Sequence, residues 1–154
     1  MKIKFGFKDI KDINKKYILP NLKNYKILTF SGPLGAGKTS LIKEILSSCG
    51  IKEIITSPTF NYVNIYKIQD NQNNTYYHFD LYRIDSLNEF LQLGFDEILY
   101  DCISDKNSWC FIEWPDVIKD ILNKKNLKKN ILEISLGYDQ GDLYSRIIEI
   151  NKIS

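Results

Sequence analysis

Arginine and alanine are nearly missing from this 154-residue chain, which holds two arginines against nineteen lysines and a single alanine, Ala36. The skew fits a coding bias toward A/T-rich codons, in which lysine serves wherever any cation will do. On that reading Arg83 and Arg146 stand where a planar, forked donor is needed. Cysteine is sparse and odd in number: Cys49, Cys102 and Cys110 form no C-x-x-C pair, which excludes a disulfide frame or a zinc knuckle and points to reduced thiols in the cytosol. No apolar run approaches the roughly 20 residues of a membrane span. The opening MKIKFGFKDIKDINKK lacks the apolar centre of a secretory signal. Charge is also in short supply: a formal +2 is too small to argue for a DNA, RNA or membrane surface by itself. The length leaves no room for a multidomain motor, helicase or synthetase. With 44% hydrophobic residues, what remains is one folded domain over 1–154.

The order of patterns along the chain is that of an α/β fold. Alternation over 2–7 predicts an edge strand, and Ile10, Ile13, Tyr17 and Ile18 predict a helix over 8–22. A short strand over 26–30 precedes a glycine-rich turn and a helix over 38–48, with Gly50 just beyond it. Strands are expected at 53–56, 62–68 and 75–79, the last two as a hairpin joined through the polar cluster 70–74. Ser86 with Glu89 three residues on predicts a capped helix over 86–93, stopped by Gly94. The unbroken apolar run 109–112 reads as a strand buried on both faces. A helix over 115–123 follows, with proline in its first turn. Two strands, 131–136 and 144–150, close the chain around a turn between Gly137 and Gly141. The expected architecture is a central, mostly parallel sheet with antiparallel hairpins, flanked by helices.

The chemistry starts at Gly32-Pro33-Leu34-Gly35-Ala36-Gly37-Lys38-Thr39, which fits G-x-x-x-x-G-K-[ST] between an apolar strand and an amphipathic helix. Glycines let consecutive N–H groups turn inward around phosphate oxygens, and the helix start adds its positive dipole end. Lys38 is placed to reach the β- and γ-phosphates, and the Thr39 hydroxyl to ligate Mg²⁺. Mg²⁺ then needs a carboxylate at the end of a neighbouring buried strand. Asp80 ends Tyr76-Tyr77-His78-Phe79, and Glu113 ends Trp109-Cys110-Phe111-Ile112. Both are assigned to the metal and its water, with the roles undivided. The Asn-Lys pairs at Asn14, Asn123 and Asn151 lack the aspartate of a guanine-reading N-K-x-D, so ATP is preferred to GTP. With two arginines there is no arginine-rich lid of the kind small-molecule kinases bring to phosphate. An ATPase therefore ranks above a small-molecule phosphotransferase of the P-loop class, and a nucleotide-switched binding module stays open beside both.

Together with that loop, Ser57-Pro58-Thr59-Phe60, His78-Phe79-Asp80-Leu81-Tyr82-Arg83 and Ile112-Glu113-Trp114-Pro115 resemble, in order and spacing, the TsaE (YjeE) family. The resemblance runs from Gly32 to Pro115, and Gly94 falls where that family has a glycine. It implies a P-loop NTPase-like domain that binds ATP and Mg²⁺ and hydrolyses ATP weakly alone. Such proteins join TsaD and TsaB, which place threonylcarbamoyl on adenosine 37 of tRNA, so contact with tRNA is indirect. By position, Pro33, Leu34, Gly35, Ala36, Gly37, Lys38, Thr39 and Ser40 surround the nucleotide. Asp80 and Glu113 go to Mg²⁺, Thr59 resembles a switch residue sensing the γ-phosphate, and Trp114 lies beside the nucleotide. Pro33 stands where an acidic residue is common in the family.

Three features carry bland readings alongside sharper ones. His78, the one histidine, suits a structural hydrogen bond better than proton transfer. Arg83, three residues after Asp80, suits the nucleotide or a partner interface. Lys124, Lys125, Lys128 and Lys129 suit a solvated helix end better than contact with tRNA phosphates.

Overall fold

The fold is a seven-stranded sheet with helices on both faces. The computed structural model describes residues 1–68 and 72–153, with Leu143 described by its backbone alone. The strands are β1 (Lys2–Gly6), β2 (Ile27–Ser31), β3 (Val63–Lys67), β4 (Thr75–Asp80), β5 (Ser108–Glu113), β6 (Ile131–Asp139) and β7 (Asp142–Lys152). They lie in the order β1-β7-β6-β2-β5-β4-β3. The middle four run parallel, and antiparallel pairs close both flanks, β1-β7-β6 on one side and β4-β3 on the other. Of the polar cluster expected to join β3 to β4, Asp70 and Asn71 lie outside the described residues.

Period-two alternation in the central strands sorts side chains to the two faces. Leu28, Phe30, Phe111, Leu132 and Ile134 pack with Ile13, Ile18 and the helix α2 (Lys38–Ser48), through Leu41, Ile42, Ile45 and Leu46. Ile27, Cys110, Ile112 and Ile131 face the other way, toward α3 (Leu87–Gln92), α4 (Phe95–Ser104), α5 (Lys119–Leu122) and α6 (Lys125–Lys128). Burial on both sides is why these strands read as near-continuous apolar runs. Among the described residues no helix is long and apolar enough to cross a membrane, and all three cysteines are free thiols.

Five expectations need correction. Residues 53–56 form no strand. Ile54 is 88% exposed, and Thr56 is held by side chains, Asn64 Nδ2 and Tyr66 Oη donating to its carbonyl at 3.2 and 3.3 Å. The segment expected as one helix over 8–22 is a succession of a 3₁₀ turn (Phe7–Asp9), α1 (Ile10–Ile13), a π turn (Asn14–Ile18) and a second 3₁₀ turn (Leu19–Asn21). The buried Asn14 amide donates to Glu44 O and Ser48 Oγ, and Pro20 stands in the last turn, so tertiary bonds and a missing N–H break the regular ladder. α4 follows α3 with only Leu93 and Gly94 between, where a stop alone was expected. β6 runs through Gly137 to Asp139, so the turn is tighter than the two glycines suggested. Finally, the expected helix over 115–123 begins as a 3₁₀ turn (Pro115–Ile118) before α5. Ser86 does cap α3, accepting from Glu89 N at 3.2 Å.

Candidate active site

Parallel register brings the site together. Asp80 pairs with Glu113 across β4 and β5, and Glu113 pairs with Phe30 across β5 and β2. The C-terminal ends of three neighbouring strands thus meet at one end of the sheet, the usual place for ligands in open α/β sheets. The chain leaves β2 through residues 32–37 and enters α2. Gly32 (φ 134°) passes so close to β6 that a Cβ would stand 2.0 Å from Leu136 O, and Gly37 (φ 102°) sits just before α2 in the left-handed region. No side chain caps α2, which leaves its first-turn N–H groups to an anion.

A cleft of about 380 Å³ opens here. Leu34, Gly35, Gly37, Lys38, Thr39 and Ser40 line it from the loop and helix, Thr59, Asp80, Glu113 and Trp114 from the other elements. Ten of the residues assigned from sequence therefore meet in one place. Pro33 and Ala36 are not in its lining. Ala36 is fully buried in the core, and Pro33 contributes its carbonyl, which accepts from Lys38 Nζ at 3.0 Å.

The Thr39 hydroxyl lies 2.9 Å from both Glu113 carboxylate oxygens. Glu113 Oε1 also meets His78 Nε2 at 2.8 Å; because a carboxylate oxygen accepts, the ring donates from Nε2. His78 is fully buried, and Glu113 is its hydrogen-bond partner. Asp80 accepts from Ser57 Oγ at 3.0 Å and from Tyr82 N at 3.1 Å, and Thr59 Oγ1 donates to Ser57 Oγ at 3.3 Å. Lys38 Nζ donates to Gly32 O at 2.6 Å and packs 3.8 Å from the centre of the Trp114 ring. Burial pulls its ammonium below the ordinary lysine range, while Glu113 and Asp80 pull it back up. Trp114 itself is left-handed (φ 59°, ψ 56°) just before Pro115, a costly conformation for a bulky residue that turns the indole over the lysine.

Two buried carboxylates, Asp80 and Glu113, face the cleft, and the Thr39 hydroxyl adds a third hard oxygen beside Glu113. That set fits Mg²⁺: Thr39, Asp80 and Glu113 would share it with phosphate oxygens and water.

Sequence reasoning missed Phe7, Ser57 and Tyr82, all in the lining. Ser57 and Tyr82 lay inside quoted motifs. Phe7 carries no local signal, because only the pairing of β1 with β7 brings it to the loop. Arg83 lines the cleft with its guanidinium 4.9 Å from the centre of the exposed Phe60 ring. The lysine cluster lies beside the N-terminal end of β6, at the opposite end of the sheet from the cleft, and Lys124, Lys125 and Lys129 are exposed there.

Comparison with known proteins bears on the fold and the family. The fold resembles a crystal structure of YdiB from Bacillus subtilis, with a TM-score of 0.64 at 24% identity, covering 100% of this chain and 87% of that one. A tRNA threonylcarbamoyladenosine biosynthesis protein TsaE from Rickettsia typhi is 39% identical over 117 residues, 75% of each chain. Its counterpart from Borreliella burgdorferi is 41% identical over 116 residues, 75% of this chain and 78% of that one. A third, from Rickettsia felis, is 38% identical over 117 residues, and the match spans 63% of its length. Residues 8–145 match the family model described as threonylcarbamoyl adenosine biosynthesis protein TsaE, and the chain belongs to that family.

Proposed function

We propose that this chain, acting as one domain over 1–154, is a Mg²⁺-dependent ATPase of the cytoplasm. In that role it serves the formation of threonylcarbamoyladenosine in tRNA alongside TsaD and TsaB. The observation that carries the reading is the Thr39 hydroxyl set between both Glu113 oxygens at the start of an uncapped helix. Loop N–H groups from Leu34 to Ser40 take phosphate oxygens. Lys38 exchanges the Gly32 and Pro33 carbonyls for the more strongly accepting β- and γ-phosphates. When bound, Mg²⁺ neutralises charge on those phosphates. The carboxylates of Asp80 and Glu113 hold the ion's water shell and orient the attacking water, and Thr59 reports the γ-phosphate through Ser57 to Asp80. Water receives the phosphoryl group, and contact with tRNA runs through the partners.

The test is phosphate release from ATP by the chain alone and with TsaD, TsaB and unmodified tRNA. Reconstitution with threonine, bicarbonate and the remaining pathway proteins completes it. Release that rises with the partners, and repeated modification only when this chain is present, support the reading. A phosphorylated small molecule formed at the same rate without them overturns it in favour of a phosphotransferase.

A further inference from the structure

The cleft has two chemically distinct ends, and the sheet order sets them apart. Both carboxylates sit on β5 and β4, to one side of the loop that follows β2. On the other side lie β6, β7 and β1, which contribute no carboxylate to the cleft. They contribute an aromatic ring, Phe7, in the first turn after β1. That turn is fixed by Gly6 N donating to Asp9 Oδ2 at 2.8 Å. Phe7 lies against the last glycine of the loop, its Cε1 3.3 Å from where a Cβ on Gly37 would stand. The ring is nevertheless 47% exposed, a large apolar surface left uncovered at the rim of a polar cleft.

Behind it stands the second of the two arginines. Arg146 pairs with Phe5 across β1 and β7, and with Tyr138 across β6 and β7. Its guanidinium lies 5.1 Å from the Phe7 ring centre and 4.6 Å from that of Tyr138. Tyr138 in turn donates to the Leu34 carbonyl of the phosphate loop at 2.5 Å. One side-chain stack therefore ties β6 and β7 to the loop and fixes Phe7, in the turn after β1, beside it. A planar guanidinium stacks on two rings as an ammonium cannot, which accounts for an arginine in a chain that otherwise uses lysine.

We propose that Phe7 is the platform on which the base of the bound nucleotide stacks, with Arg146 as its positioning residue. The inference rests on the ATP reading and deepens it. With the terminal phosphates at the carboxylate end, the nucleoside leaves the loop at the opposite end, where Phe7 offers the aromatic face. Ser40, in the first turn of α2, also lines the cleft.

The test compares ADP with inorganic tripolyphosphate by calorimetry in wild type, Phe7→Leu, Phe7→Trp and Arg146→Lys. Leucine keeps apolar bulk against Gly37 and removes only the aromatic face. Phe7→Leu is expected to bind ADP about tenfold or more weakly, the scale of a lost base–aromatic stack, with tripolyphosphate binding unchanged. Phe7→Trp should hold ADP at least as tightly as wild type, and Arg146→Lys should fall between wild type and Phe7→Leu. Wild-type ADP affinity in Phe7→Leu overturns the proposal, as does equal loss of both ligands, which makes Phe7 a support of the loop. Failure of wild type to bind either ligand overturns the ATP reading itself and is distinct from both.

Discussion

Thr39 and Glu113 are 74 residues apart in sequence, yet the threonine hydroxyl lies 2.9 Å from both oxygens of the glutamate. Glu113→Gln keeps an acceptor for Thr39 and most of the packing but removes the charge. Hydrolysis is expected to fall roughly 100-fold or more, the scale of losing a positioned acid–base group. ATP affinity should change far less. Parallel measurement of phosphate release and nucleotide binding checks this, and an equal loss of both would make Glu113 a structural residue.

Lys38→Met is expected to abolish ATP binding with the fold intact, since the ammonium bonds only to loop carbonyls beside the cleft. The pair also sets up a pH test. Burial holds the folded-state value of Lys38 below that of an unfolded lysine, so between those values the unfolded chain binds more protons. Wild-type stability should therefore rise, relative to Lys38→Met, as pH climbs through that window toward the ordinary lysine value of 10.5. Denaturant melts of both proteins across the alkaline range measure the difference, and a flat or falling one contradicts the assignment.

Much of this site was legible because its chemistry demands rare residue types at fixed spacing. The run from Gly32 to Thr39 has little freedom, and Asp80 and Glu113 announce themselves as charges ending apolar runs. The errors arose where tertiary partners outweighed local pattern. Ile54-Ile55-Thr56 has strand propensity, but side chains of β3 take its polar groups where a neighbouring strand would. Gly94 was read as a terminator, whereas its left-handed backbone (φ 72°) also turns the chain directly into α4, whose Phe95, Ile98, Leu99 and Cys102 keep helical spacing. Phe7 was beyond any local reading, because its neighbours Gly37 and Arg146 lie far from it in sequence.

The cysteines should differ in reactivity. Cys102 and Cys110 are buried, and burial followed by contact with Cys102 pushes the Cys110 thiol well above its ordinary value. Cys49 is half-buried; burial raises it, with Tyr76 partly opposing. Iodoacetamide at neutral pH is expected to modify Cys49 slowly and alone in the folded protein, and all three thiols after denaturation. Mass spectrometry of the two states decides it. Fast double modification of the folded protein would contradict the packing of β5 against α4.

Asp80→Asn separates the two carboxylates. An asparagine oxygen still accepts from Ser57 or from Tyr82 N, so the local bonds largely survive. What goes is the negative charge facing the ion. The expected outcome is a higher Mg²⁺ requirement for hydrolysis, with the melting temperature unchanged. A titration of phosphate release against Mg²⁺ reads the first and a thermal melt the second; a large drop in melting temperature would give Asp80 a structural role.

Gly32→Ala tests whether the loop's place depends on one backbone crossing. The methyl would stand 2.0 Å from Leu136 O and 3.0 Å from Leu136 C, both backbone atoms of β6 that cannot swing aside. The position also has φ 134°, so strain alone costs about 1–3 kcal/mol before any clash. For a chain of this size each kcal/mol lowers the melting temperature by about 2–4 °C. The clash adds to that by forcing apart β2 and β6, which pair through Ser31 and Ser135 next to the site. Loss of stability should come with loss of nucleotide binding, since the Gly32 carbonyl that holds Lys38 moves with the strand. Gly141→Ala is the control, because its added methyl would meet nothing nearer than Asp139 Oδ1 at 3.9 Å. Equal melting temperatures for the two variants would show that β6 yields at this crossing and that the loop does not depend on it.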